Sequence, residues 1–361
     1  MERAVTRLIP AFPWRLLLLL KLSALLFLFS ATAEAAVGLT EIAGTQGDGA
    51  VTVYYPSSSD AQTVKQGPFS FQLARQGAPR LGNRRLIVIS HGSGGAPWVH
   101  ADLARALVED GFVVVMPTHR GDNYGDHSTP GPESWRRRPV EVSHAIDAIG
   151  QDPRFGPILA LDKVGMYGFS AGGHTALSLA GGRWSPARFR EHCESHIGED
   201  FQSCVGLATR LTGGLLDGLK TTTALMVIRY RFGDATWQTH TDPRIAAIVA
   251  GCPYAADFDM ASLATPRVPL ALVTAPQDRW LIPRFHGERV LQTCAACERL
   301  ADIPNAGHGA LLSPLPPGLS GLIGDLLNDP PGFDRGALPD VDRKIVAFFR
   351  KRLLPLQSNG R

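Results

Sequence analysis

The sequence predicts an α/β fold with a mostly parallel central sheet, helices on both faces and one long inserted, lid-like segment. Three observations predict it. Short continuous runs of branched apolar residues, such as 86–90 and 112–117, recur along the chain, each followed by a helix-patterned stretch. Such runs suit strands buried on both faces of a sheet. Two earlier segments, 49–56 and 69–74, resemble hairpin strands and come before that rhythm, which predicts an antiparallel edge. Finally, residues 183–243 interrupt the alternation between a helix and the next strand, and an insertion of that length inside a compact domain is more often functional than idle.

Taken in order, strand 86–90 runs into a glycine-rich loop and a helix over 99–111 that ends on glycine. Strand 112–117 leads through a polar loop to a helix over 138–152, and strand 163–169 leads directly into a small-residue helix over 170–181. Beyond the insertion come strands 244–251, 268–275 and 298–304, then an amphipathic helix over 340–354.

The first residues follow different rules. Arg3, Arg7 and Arg15 precede or open an apolar run over 16–29, and small residues follow to Ala36. This reads as a signal peptide over 1–36, cut after Ala33, Ala35 or Ala36. Lys21 interrupts the run, which is shorter than the ~20 apolar residues of a spanning helix, so no integral span is expected after cleavage. The mature domain, 37–361, is then expected in a periplasmic or extracellular setting, where disulfides are permitted. Proximity along the chain pairs Cys193 with Cys204 and Cys294 with Cys297, leaving Cys252 as a buried free thiol.

Charge excludes some functions. A net charge of +3 in 361 residues, with no aromatic-basic stripe or zinc-finger spacing, argues against nucleic acid as a partner. The single C-x-x-C pair lacks a second ligand pair, so no metal is expected.

One pentad carries chemistry. Gly168-Phe169-Ser170-Ala171-Gly172 sits between an apolar strand and a helix, where a sharp turn would lift Ser170 above the sheet edge. Glycines on either side let strand and helix approach closely, and the helix start presents backbone N–H groups beside the hydroxyl. A serine needs a base to take its proton, and the base needs a group to orient it. Asp278 follows strand 268–275 and His308 follows strand 298–304, so both fall on the sheet edge that carries Ser170. Asp257 and Asp259, after the preceding strand, are the rival acids. The loop His91-Gly92-Ser93-Gly94-Gly95 after strand 86–90 offers an oxyanion donor: the Ser93 N–H first, Gly94 second, with Ala171 N–H as the other half. A phosphate-cradling reading of that loop fails for want of the lysine it requires.

These segments, together with 49–56 and 114–123, resemble the serine α/β-hydrolase superfamily, close to its dienelactone-hydrolase-like and platelet-activating-factor-acetylhydrolase-like group. The resemblance spans about 49–311. It implies an α/β-hydrolase fold, the chain order nucleophile, acid, base that Ser170, Asp278 and His308 satisfy, and cleavage of carboxylic esters through an acyl-enzyme without a cofactor. The implied partner is a small-molecule or lipid ester. Two departures matter. Dienelactone hydrolases have cysteine where this chain has Ser170, and acetylhydrolases keep their acid just after the strand that is 244–251 here, where this chain has Gly251-Cys252-Pro253-Tyr254. Rival readings are a lipase or acetylhydrolase acting on lipids, a peptidase or amidase using the same triad, and a non-catalytic binding protein.

Overall fold

A computed structural model describes residues 36–316 and 318–355; the predicted signal peptide, up to Ala35, lies outside them. The strands are β1 (Ala36–Ile42), β2 (Val51–Ser57), β3 (Gln62–Gln66), β4 (Phe69–Arg75), β5 (Leu86–Ser90), β6 (Val113–Pro117), β7 (Val164–Phe169), β8 (Ile245–Gly251), β9 (Leu270–Thr274) and β10 (Glu298–Asp302). The α-helices are α1 (Ala101–Glu109), α2 (Pro132–Gln151), α3 (Ala171–Leu179), α4 (Pro186–His196), α5 (Phe201–Val205), α6 (Asp217–Arg231), α7 (Met260–Leu263), α8 (Gly287–Thr293), α9 (Gly321–Leu327) and α10 (Leu338–Leu353).

All ten strands join one sheet in the order β10-β9-β8-β7-β5-β6-β2-β1-β4-β3. From β6 to β10 every pairing is parallel, whereas β2 pairs antiparallel with both β6 and β1. The apolar strands earn this place by alternation across two faces. Val88, Met166, Ile248 and Leu272 point into one core, shared with α2 and α3. Ile89, Tyr167, Val249 and Val273 point into the other, shared with α1 and α10. The predicted parallel sheet with both faces covered is therefore present.

Two strands carry no readable pattern. β3 has a single buried residue, Val64, and owes its pairing to a two-residue turn at Gly67-Pro68, where Gly67 has φ of 54°. β1 begins at the last residue assigned to the signal and is held between β2 and β4. The helix expected from residue 138 starts earlier, at Pro132, and runs through Pro139. Proline favours a first turn, and the sequence holds one at each place, so the second masks the true start.

The insertion packs on the main core at its start and through Ile228, and is largely exposed over 206–219. Trp184, Phe189, Cys193, Phe201 and Cys204 are buried in the main core, and Cys193 pairs with Cys204. Cys294 pairs with Cys297, and Cys252 is free and buried, as expected. His192 and His286 both contact Asp200 Oδ2, at 2.8 and 3.1 Å, tying α4 to the loop before α8. The Ala255 N–H donates to His286 Nδ1, so a neutral His286 carries its proton on Nε2 and gives it to Asp200. Through these bonds the three side chains form a buried clasp. No helix among the described residues is long and apolar enough to cross a membrane.

Helix α10 brings a stability prediction. Burial, with Asp102 of α1 nearby, pushes the Asp342 carboxyl up from 3.8 to about 7. The folded state thus holds this proton more tightly than the unfolded chain does. Its contribution to stability is present below 3.8 and is lost as pH rises toward about 7. Asp342→Asn will raise the melting temperature at about pH 8, and the gain will shrink on acidification toward about pH 4. Thermal denaturation at both pH values checks this.

Candidate active site

Parallel pairing puts the C-terminal ends of β5 to β10 on one edge. The chain leaves β5 toward β6 and leaves β7 toward β8, so its direction reverses between the neighbours β5 and β7. The crevice above such a reversal is where open α/β sheets place their ligands. Ser170 follows β7 there, and the loop from His91 follows β5, with Ser90 in register with Gly168.

Ser170 stands at φ 56° and ψ −115°, a conformation disfavoured for any residue with a side chain. Its neighbours hold it there. The Ser170 N–H donates to Gly251 O at 3.0 Å, and its carbonyl accepts from His174 and Tyr254 N–H at 3.0 and 3.2 Å. A Cβ on Gly168 would sit 1.9 Å from Gly172 O, and one on Gly172 would sit 1.9 Å from Ser90 O. Both glycines are therefore demanded by close backbone approach, as the pentad predicts.

The structure brings the three expected side chains together. His308 Nε2 lies 2.9 Å from Ser170 Oγ, and His308 Nδ1 lies 2.7 Å from Asp278 Oδ2. Asp278 Oδ1 accepts the Trp280 and Leu281 N–H groups, each at 2.8 Å, which fixes the carboxylate. A carboxylate can only accept, so His308 carries its proton on Nδ1 and turns the Nε2 lone pair toward the serine hydroxyl. Asp278 and His308 are buried, which strengthens the contact between them.

The rival acids are engaged elsewhere. Asp257 Oδ2 contacts Nε2 of His174, on α3, at 3.1 Å, and both are fully buried. Asp259 caps α7 through the Ala261 N–H and pairs with Arg183.

Gly92 packs against Ser170: a Cβ placed on it would meet Ser170 Cβ at 3.4 Å. Of the two oxyanion candidates in this loop, the Gly94 N–H is already given to Asp122 Oδ1 at 2.9 Å. The Ser93 and Ala171 N–H groups donate to no protein acceptor among the described residues.

What holds this loop was not legible in the sequence. Arg138 of α2 is completely buried and donates to His91 O at 2.5 Å, to Gly92 O at 3.3 Å, and to Asp122 at its carbonyl and at Oδ2. Asp122 in turn accepts from Ser93 Oγ at 2.6 Å and from Ser134 Oγ at 2.9 Å. Burial works against the Asp122 charge, but Arg138 and these donors outweigh it and hold the carboxyl below its usual range. Arg138 sits in the run Arg136-Arg137-Arg138, which reads as a solvated charge cluster; nothing in the sequence separates it from its neighbours. Below it, His119 accepts from Ser90 Oγ at 2.7 Å and donates to Glu141 at 2.6 Å. Burial, reinforced by Arg138, keeps that imidazole uncharged.

Cys252, at φ 40° beside the site, offers no second nucleophile, because burial pushes its thiol pKa well up and disfavours the thiolate. Compared with models of protein families and with curated proteins, the sequence finds no match.

Proposed function

We propose that this chain is an exported serine hydrolase of the α/β-hydrolase superfamily that cleaves carboxylic esters. The observation that carries the reading is the unbroken relay from Ser170 through His308 to Asp278 on a strained strand-to-helix turn. In the proposed reaction, His308 Nε2 takes the hydroxyl proton as Ser170 Oγ bonds to the ester carbonyl carbon. Asp278 stabilises the imidazolium formed. The negative charge on the carbonyl oxygen is met by the Ser93 and Ala171 N–H groups, one such donor being worth about 3–4 kcal/mol of barrier. The tetrahedral species collapses, and the departing alkoxide takes the proton from His308. Water, deprotonated by the same imidazole, then releases the acid and restores Ser170.

The export part of the reading rests on the basic-apolar-small pattern of residues 1–36 and on two cysteine pairs at disulfide distance. The insertion, anchored through α4 and α5, would serve as a wall of the substrate site.

The test is turnover of p-nitrophenyl esters of graded acyl length beside matched anilides. Esters will be hydrolysed faster. Asp278→Asn will lower kcat by about 10,000-fold through the wrong imidazole tautomer. Asp259→Asn, which alters only a helix cap and the pairs with Arg183 and Arg188, will leave kcat near wild type. Equal loss in both variants would remove Asp278 from its assigned role.

A further inference from the structure

Nine of the twelve exposed large apolar side chains among the described residues fall between Leu207 and Trp237. Single exposed apolar residues need no explanation, but such a concentration does. Helix α6 supplies its centre and is apolar on two opposite faces. Ala224, Leu225 and Ile228 pack inward on the main core. At 3.6 residues per turn, Leu219, Met226 and Tyr230 line up half a turn away, on the opposite side. They are 64%, 58% and 91% exposed, and Leu215 and Leu216, just before the helix, extend the stripe at 104% and 66%. A helix that only had to cover the core would be polar there.

The rim identifies the occupant. Arg229 borders the stripe on one side, and Lys220 and Arg231 border it on the other. Between Leu207 and Trp237 the chain carries four basic side chains, Arg210, Lys220, Arg229 and Arg231, against two acidic ones, Asp217 and Asp234. A second copy docking face to face would bring like net charges together, whereas an anionic surface attracts them. Tyr230 and Trp237 add the amphipathic aromatics that favour the boundary between water and lipid.

We propose that the outward face of α6, with Leu215 and Leu216, docks on an anionic phospholipid surface, a binding function that stands apart from the ester-hydrolase reading. The test uses a chain starting at Ala36, which contains every described strand and helix. It is sedimented with vesicles of phosphatidylglycerol and phosphatidylcholine, and with vesicles of phosphatidylcholine alone. Wild type will bind the anionic vesicles about tenfold or more tighter, and about 0.5 M salt will weaken that binding. The triple variant Leu219→Asp/Met226→Asp/Tyr230→Asp will lose binding with its melting temperature unchanged. Lys220→Glu/Arg231→Glu, which touches no core residue, will weaken binding to anionic vesicles alone. Ser170→Ala will bind like wild type, so the loss of either proposal leaves the other standing. Absence of wild-type binding to either vesicle, or undiminished binding by the triple variant, would overturn the proposal. So would a wild-type dimer that the triple variant dissociates in the absence of lipid binding, which would assign the face to a second copy.

Discussion

Ser170→Ala will lower kcat for the best ester by about 100,000-fold, the largest effect expected of any single substitution in this chain. The size follows from how the site is built. In the proposed reaction Ser170 Oγ is the only atom in the relay that bonds to the substrate, and its hydrogen bond to His308 Nε2 is already formed at 2.9 Å. Without it, the Ser93 and Ala171 N–H groups can still polarise a bound carbonyl, and a residual rate roughly 1,000-fold above the uncatalysed one is expected. The fold should be unharmed, because the turn is held by backbone bonds to Gly251, His174 and Tyr254 that alanine keeps. His308→Ala should reach nearly the same floor, and the double variant little lower, since the residues act as one unit. Steady-state kinetics on the two single variants and the double variant reads this directly.

Arg138→Gln will combine the largest expected loss of stability with a loss of rate. The guanidinium and Asp122 are fully desolvated partners, and removing one leaves the other charge buried without compensation, at a cost of about 3–5 kcal/mol. The kinetic loss has a separate origin. Arg138 holds the carbonyls of His91 and Gly92, the two residues just before the Ser93 N–H. If that amide drifts from the oxyanion position, kcat will fall by about 100-fold with KM nearly constant. Arg138→Lys separates the two effects. Lysine keeps the charge and will recover part of the stability, but it cannot span the His91, Gly92 and Asp122 oxygens as a planar fork does. Its kcat should stay low. Chemical denaturation and kinetics on both variants test this, and a lysine variant with full kcat would reduce Arg138 to a purely structural role.

The sheet was legible wherever its strands are buried on both faces, because short branched runs such as Ile87-Val88-Ile89, followed by a glycine-rich loop, suit a doubly covered strand. It was illegible at β3, where Gln62, Thr63, Lys65 and Gln66 surround one buried valine and a turn does the work of a pattern. The same contrast holds at the site. Ser170 directly follows β7, and Asp278 and His308 lie in the loops that follow β9 and β10, so chain order brings them to one edge. Arg138 acts from the middle of a helix whose start was obscured by its own Pro139, through bonds to carbonyls that have no sequence signature. Asp257 and His174 show the reverse case: both types suit catalysis, and tertiary packing commits them to each other in the core.

The most direct measurement is labelling of the protein with a fluorophosphonate, followed by peptide mapping, with Ser170→Ala alongside. A single phosphonyl adduct is expected on the peptide that contains Ser170, absent from the alanine variant and much slowed in His308→Ala. Folded wild-type protein that takes up no label, or that is labelled at another serine, would contradict the claim that this turn holds an activated nucleophile.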